Sequence, residues 1–174
     1  MGIDDDTVSP EQILDLKGER SFRQFLPVIV LMFTPITVSY QTVLGPTFSF
    51  FFFFGRIDVR ILSQYYFIQS SFVYSVAFLA VSLPAFIVTI FSCWELRRLS
   101  QKKTTARGAL RMMLTAIVAW AIYLVIFFLG SLSVGQLIIG PFPVPLAPLA
   151  AILSRGYIVD VTEQIDELEN SSTL

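Results

Sequence analysis

Three long intervals without a charged residue constrain this chain more than any motif does. They are residues 24–55, 61–94 and 112–154, with lengths of 32, 34 and 43 residues. A transmembrane helix needs about 20 apolar residues to cross about 30 Å of hydrocarbon. The first two intervals therefore each have room for one span, whereas the third has room for two.

The third interval is divided by a polar break into two apolar runs. The break comprises Gly130, Ser131, Ser133, Gly135 and Gln136. With this break, the sequence predicts an all-α integral membrane protein with about four transmembrane helices. The predicted spans lie near residues 25–46, 66–93, 112–130 and 137–153.

A proline-rich segment near residues 140–148 leaves a second topology open. Its prolines are Pro141, Pro143, Pro145 and Pro148. Each proline removes a helix hydrogen bond and disfavours helix in the residue before it, so the segment is expected to be irregular or extended. In a three-span alternative, the third helix runs to about Ile139 and the rest lies along the outer surface.

The distribution of basic residues predicts the orientation. In the four-span topology ten Lys and Arg residues lie on one side and two, Arg56 and Arg60, on the other. By the positive-inside rule, both termini are cytoplasmic, with the cell membrane as the expected location. The predicted parts are a cytoplasmic segment with a short helix at 1–23, a transmembrane domain at 24–155 and an acidic cytoplasmic tail at 156–174.

Composition excludes several classes of function. The chain has no histidine, one cysteine and a net charge of −1, and 14% of its residues are charged against 55% hydrophobic. These numbers argue against disulfide frameworks, Cys/His zinc sites, His-dependent catalysis and nucleic-acid binding. We therefore expect no enzyme activity, no cofactor, no metal site and no nucleic-acid partner.

Two sets of residues are candidates for contacts at or in the membrane. Ser71 and Ser75 form a small-xxx-small pair that would let a second helix approach closely. The loop at 95–111 is strongly basic and could bind anionic lipid headgroups or the acidic tail. Its basic residues are Arg97, Arg98, Lys102, Lys103, Arg107 and Arg111.

The tail reverses the sign of the charge and carries one apolar stripe. It has five acidic residues and no basic residue after Arg155. The stripe residues recur at intervals of three and four, which predicts a short amphipathic helix. They are Ile158, Val161, Ile165 and Leu168. The stripe is expected to dock on the basic loop or on a partner protein, the alternative being a disordered, solvated end.

Two functions follow from this topology. The first is a non-enzymatic accessory or scaffold subunit that acts through membrane lipids, other membrane subunits or self-association. The second is an oligomeric permease or channel-like protein for neutral or apolar solutes, with Gln69, Ser70, Tyr74 and the proline segment lining the path.

Overall fold

The computed structural model describes residues 10–41, 46–52, 54–62, 65–71, 76–131 and 138–171. These residues form four helices and a five-stranded sheet. The helices are α1 Pro10–Phe33, α2 Val76–Ser100, α3 Ala106–Ser131 and α4 Leu146–Ser171. The strands are β1 Thr37–Gln41, β2 Thr47–Phe52, β3 Gly55–Leu62, β4 Tyr65–Ser71 and β5 Ile138–Pro143.

The four helices pack into a bundle with two apolar clusters. α4 contacts α1, α2 and α3, and α2 contacts all three of the other helices. The first cluster joins all four helices, and its buried residues are Leu31, Ile36, Ala85, Val88, Trp120, Leu124 and Ala147. The second lies among α2, α3 and α4, and its buried residues are Leu96, Leu99, Ala109, Met113, Ala151 and Ile158.

A tight turn joins α2 to α3. The Lys102 amide donates to the Leu99 carbonyl at 3.0 Å and the Lys103 amide donates to the Arg98 carbonyl at 2.9 Å. This pair of bonds is the Schellman pattern, which places its C′ residue in the left-handed region. Lys102 occupies that position with φ 56°. The turn therefore brings the end of α2 directly to the start of α3.

The sheet is antiparallel in the order β4-β3-β2-β1-β5. The buried positions of β1 and β2 are unusual because they carry small hydroxyl side chains. Ser39 pairs with Ser49 across β1 and β2, and both are buried, as are Thr37 and Thr47. Phe48, which lies between Thr47 and Ser49, is exposed. The alternation in burial has the period of two that defines a strand.

The structure contradicts the predicted all-α fold. The predicted span at 25–46 ends as a helix at Phe33 and continues into β1. The span at 66–93 begins in β4, and the one at 137–153 begins in β5, including part of the proline segment near 140–148. Prolines are tolerated in β5 because it is an edge strand.

One predicted span coincides with a helix throughout its length. The prediction at 112–130 lies inside α3, and residues Ala106–Phe127 are long and apolar enough to cross a membrane. Among the residues described, α3 is the one helix that meets this test. The prediction of a multi-pass membrane protein is therefore wrong. The two predicted functions, a multi-pass accessory subunit and a permease, depended on that topology and are therefore also wrong.

Candidate functional site

An apolar groove runs between α2 and α3 and has a volume of about 490 Å³. This is within the usual range of about 300–1,000 Å³ for ligand pockets. Its walls are almost entirely apolar. The lining residues are Leu83, Pro84, Ile87, Val88 and Phe91 on α2, and Met112, Thr115, Ala116, Ala119, Trp120 and Tyr123 on α3.

Local sequence explains the shape of the groove. Ala116 and Ala119 leave a hollow on α3 beside the larger side chains of α2. The Thr115 hydroxyl donates to the Arg111 carbonyl at 2.9 Å, and the Tyr123 hydroxyl donates to the Ala80 carbonyl at 2.9 Å. These two hydroxyls are therefore satisfied by backbone carbonyls, and the groove keeps an apolar character.

A second apolar hollow adjoins the groove on α2. It has a volume of about 530 Å³ and shares Ile87 and Phe91 with the groove. It extends along α2 to Trp94, whose ring lies 5.8 Å from that of Phe91. Trp94 is half exposed. The two hollows together make one apolar surface that runs toward the end of α2.

Basic residues begin where this apolar surface ends. The Arg98 guanidinium lies over the Trp94 ring, 4.8 Å from its centroid, one helical turn further along α2. On α3, Arg111 lies one turn before Thr115 and is exposed. Residues three or four apart on a helix share a face, so both helices carry an arginine at the same end of the groove.

The other basic residues predicted from the sequence lie around this end. Arg97, Lys103 and Arg107 are exposed, and Lys102 forms an ion pair with Asp166 of α4. Within the described part of the chain, Arg97, Lys103, Arg107 and Arg111 form no ion pair. Four cationic side chains at this end of the bundle are thus not paired with a carboxylate among the described residues.

Glu95 is a buried carboxylate beside the basic residues. Its side chain is 0% exposed, and Oε1 accepts a hydrogen bond from Arg98 Nη1 at 2.9 Å. Oε2 has no hydrogen-bond partner among the described residues. Since a buried charge needs a partner, Arg98 is the group that stabilises this carboxylate.

The charged end of the bundle comprises residues 10–23, 95–111 and 155–171. The acidic tail forms the second half of α4 and packs at this end. Lys17 pairs with Glu169 at 2.7 Å, and Lys102 with Asp166. Of the stripe residues, Ile158, Val161 and Ile165 are buried, and Leu168 is half-buried.

Polar contacts also join α1 to α2 and α4 at the charged end. The Gln24 amide donates to the Ser100 hydroxyl at 3.0 Å, and the Arg23 guanidinium lies 4.6 Å from the centroid of the Tyr157 ring. The Tyr157 hydroxyl donates to the Glu19 carboxylate, and this bond raises the pKa of Tyr157. Side-chain contacts at this end therefore connect α1 to both α2 and α4.

The pair predicted to mediate helix packing is not brought together on a described helix. Ser71 is the last residue of strand β4, and Ser75 lies outside the described residues. Gln69 and Ser70, which were assigned to the permeation path, are exposed residues of the same strand. The role of the Ser71–Ser75 pair remains a prediction.

Neither protein families nor curated sequences supply a relative from which the site can be interpreted. No protein-family model matches the chain, and no curated protein has a significantly similar sequence. In the described ranges, no group of three or more cysteine, aspartate or glutamate side chains could hold a metal ion. The chemistry of the site therefore has to be argued from its own residues.

The sequence reasoning missed the groove and the buried Glu95. The signal that could have found the groove is the series Ile87, Phe91, Trp94 and Arg98, which recurs at intervals of four, three and four residues. This spacing places an arginine at the end of one helical face.

Proposed function

We propose that the chain is a non-enzymatic, membrane-anchored protein. In this proposal α3 lies in the hydrocarbon, with the exposed apolar face of α2 beside it, and the charged end of the bundle lies at the headgroups. The observation that carries the proposal is the exposure of α3. Its apolar window is 17% buried, whereas the core helix of a water-soluble protein would be mostly buried.

Five of the eight large apolar residues exposed on α3 form a stripe along the helix. They recur at intervals of three and four and face away from the bundle. They are Leu114, Val118, Ile122, Val125 and Leu129. Contiguous exposed apolar surface of this kind marks a site of contact with a membrane or with another protein. The part of α3 beyond the charged end, from Met112 to Ser131, has about 20 residues and extends about 30 Å as a helix, which matches the hydrocarbon core.

The charged end supports the same placement. Six basic residues and one acidic residue lie between 95 and 111, next to the start of α3. Each basic residue near an anionic leaflet contributes about 1 kcal/mol to attraction. Trp94 lies at the boundary between the apolar and charged parts, where tryptophan is enriched in membrane proteins. The absence of histidine from the sequence supports the non-enzymatic part of the proposal.

Lysine substitutions in the exposed stripe test the membrane anchor. Val118→Lys/Val125→Lys places two charges in the middle of α3 without touching its buried face. At a membrane-embedded position each lysine costs about 2.5–3.5 kcal/mol. We therefore expect wild-type protein to resist alkaline carbonate extraction from membranes, and the double variant to be released.

The control adds the same two charges elsewhere. Gln101→Lys/Gln164→Lys changes two exposed residues of the charged end, so it should stay in the membrane fraction. If α3 faces water, exposed Val→Lys changes have little effect on stability, within about 0.5 kcal/mol. Wild-type protein that is soluble after cell lysis, or that carbonate removes as readily as the Val118→Lys/Val125→Lys variant, would refute the anchor.

A further inference from the structure

We propose that the groove between α2 and α3 is a binding site for one anionic phospholipid. An acyl chain occupies the groove, and the phosphate-containing headgroup contacts Arg98 and Arg111. The inference rests on the proposed function, since it names the lipid class that this membrane face selects. It adds a defined site, with a chain-binding part and a headgroup-binding part.

The chain-binding part follows from the shape and chemistry of the groove. It is open along the surface of α2 and α3, and its walls are the apolar side chains between Leu83 and Phe91 and between Met112 and Tyr123. The groove spans about 12 Å of α2 along the helix axis, from the rise of 1.5 Å per residue. An open apolar hollow of this length in a lipid-facing surface fits a flexible hydrocarbon chain better than a polar ligand.

The headgroup-binding part follows from the position of the two arginines. Arg111 directly precedes Met112 at the end of the groove, and Arg98 lies about two helical turns beyond Phe91 on α2, past the adjoining hollow that ends at Trp94. A guanidinium presents five N–H donors in a plane and suits a phosphate. Arg98 uses one donor nitrogen for Glu95, and its side chain is held over Trp94. Arg111 is exposed and, within the described residues, has no acidic partner.

The charge balance selects an anionic lipid over a zwitterionic one. The residues from 95 to 111 have a net charge of +5, from six basic residues and Glu95. The acidic residues Asp166 and Glu169 are paired with Lys102 and Lys17 on the α4 side. Residues 155–171 of the charged end have a net charge of −4, so the selection depends on the cation at the groove itself. Because Arg111 has no ion pair among the described residues, its charge favours a headgroup with a net negative charge, such as phosphatidylglycerol, over phosphatidylcholine.

The two tryptophans of the chain allow a direct measurement. Trp120 lines the groove, and Trp94 lies at the end of the adjoining hollow. The full-length Trp94→Phe protein in detergent micelles leaves Trp120 as the fluorescent reporter. Phosphatidylglycerol or phosphatidylcholine with brominated acyl chains is titrated in, and quenching of Trp120 reports a chain in the groove.

We expect saturable quenching by phosphatidylglycerol at a concentration at least about fivefold lower than for phosphatidylcholine. Arg111→Gln should raise the half-saturation concentration of phosphatidylglycerol about fivefold. The matched control, Lys103→Gln, removes the same charge from an exposed position in the turn and should change it less than about twofold. Ala119→Phe fills the hollow and should remove most of the quenching.

Several results would overturn this inference. Equal quenching by the two lipids refutes the headgroup-binding part, and equal effects of Arg111→Gln and Lys103→Gln show diffuse attraction without a site. Unchanged quenching in a folded Ala119→Phe protein refutes the chain-binding part, and circular dichroism checks folding. If Ala119→Phe does not fold, the comparison of Arg111→Gln with Lys103→Gln still tests whether the lipid binds at a defined site.

The micelle titration is independent of the membrane anchor. If carbonate releases wild-type protein, the proposed function fails whatever the lipid titration shows. If wild-type protein resists carbonate but does not distinguish the two lipids, the lipid site fails and the anchor stands.

Discussion

Replacing Arg98 with methionine tests whether the buried Glu95 carboxylate depends on this one partner. Arg98→Met removes the guanidinium but keeps a long apolar side chain against Trp94. Glu95 is then left at 0% exposure with neither carboxylate oxygen paired among the described residues. The reverse change, Glu95→Met, leaves an arginine whose side chain is 34% exposed and can turn toward water.

The two variants should differ because the partners differ in burial. At 2.9 Å and an effective dielectric constant of 20, the attraction between the two charges is about 6 kcal/mol. The cost of desolvating the two ions offsets most of this attraction. When one partner is removed, the remaining buried ion still bears its desolvation cost but has no attraction to offset it. Arg98→Met should therefore destabilise the fold by about 3–5 kcal/mol. Glu95→Met should cost about 1 kcal/mol or less, since it also removes the unpaired Oε2.

Thermal unfolding in detergent micelles, followed by circular dichroism, measures the difference. For a chain of this size, 1 kcal/mol corresponds to about 2–4 °C in Tm. We expect Arg98→Met to lower Tm by about 6–20 °C and Glu95→Met by about 4 °C or less. The double variant Glu95→Met/Arg98→Met should be closer to wild type than Arg98→Met is, because it has no buried charge. Equal losses in the two single variants would refute the reasoning.

Two further outcomes are expected at α4. Ile158→Ala empties a fully buried position and should cost about 2–5 kcal/mol in thermal unfolding, whereas Leu153→Ala, at a residue that is 80% exposed, should stay within about 0.5 kcal/mol. Because Glu19 accepts the Tyr157 hydroxyl bond and raises the pKa of Tyr157, the folded state holds that proton more tightly than the unfolded state does. The hydrogen bond therefore stabilises the fold below the ordinary tyrosine pKa, and this stabilisation is lost as pH rises through the raised pKa of Tyr157. Absorbance titration at 295 nm, taken as the difference from Tyr157→Phe, should show ionisation of Tyr157 at a higher pH than an ordinary tyrosine, and Glu19→Gln should move it to lower pH. An ionisation that Glu19→Gln does not move would contradict the prediction.

The sequence predicted α3 well but not the sheet, for a physical reason. A lack of charge indicates burial or lipid exposure, and it does not distinguish a helix from a strand. The residues from Thr37 to Gln41 and from Thr47 to Phe50 alternate hydroxyl or amide side chains with bulky apolar ones. That period of two favours strands, but it disappears when hydrophobicity is averaged over the length of a transmembrane span, about 20 residues.

The candidate site was predictable in part. Its basic residues stand out in the sequence because they follow a long apolar run, and the stripe at Ile158, Val161 and Ile165 is visible from its spacing. The burial of Glu95 was not predictable. It depends on which face of α2 turns toward the bundle, and that is fixed by packing between segments distant in the sequence.

Lys102 is a locally frustrated residue. The backbone at this position, with φ 56°, favours glycine, whereas the ion pair with Asp166 requires a cationic side chain. No single amino acid satisfies both demands. Glycine would relax the turn between α2 and α3 but would remove the ion pair that joins this turn to α4, so the backbone of the turn and its contact with the last helix make opposite demands on one position.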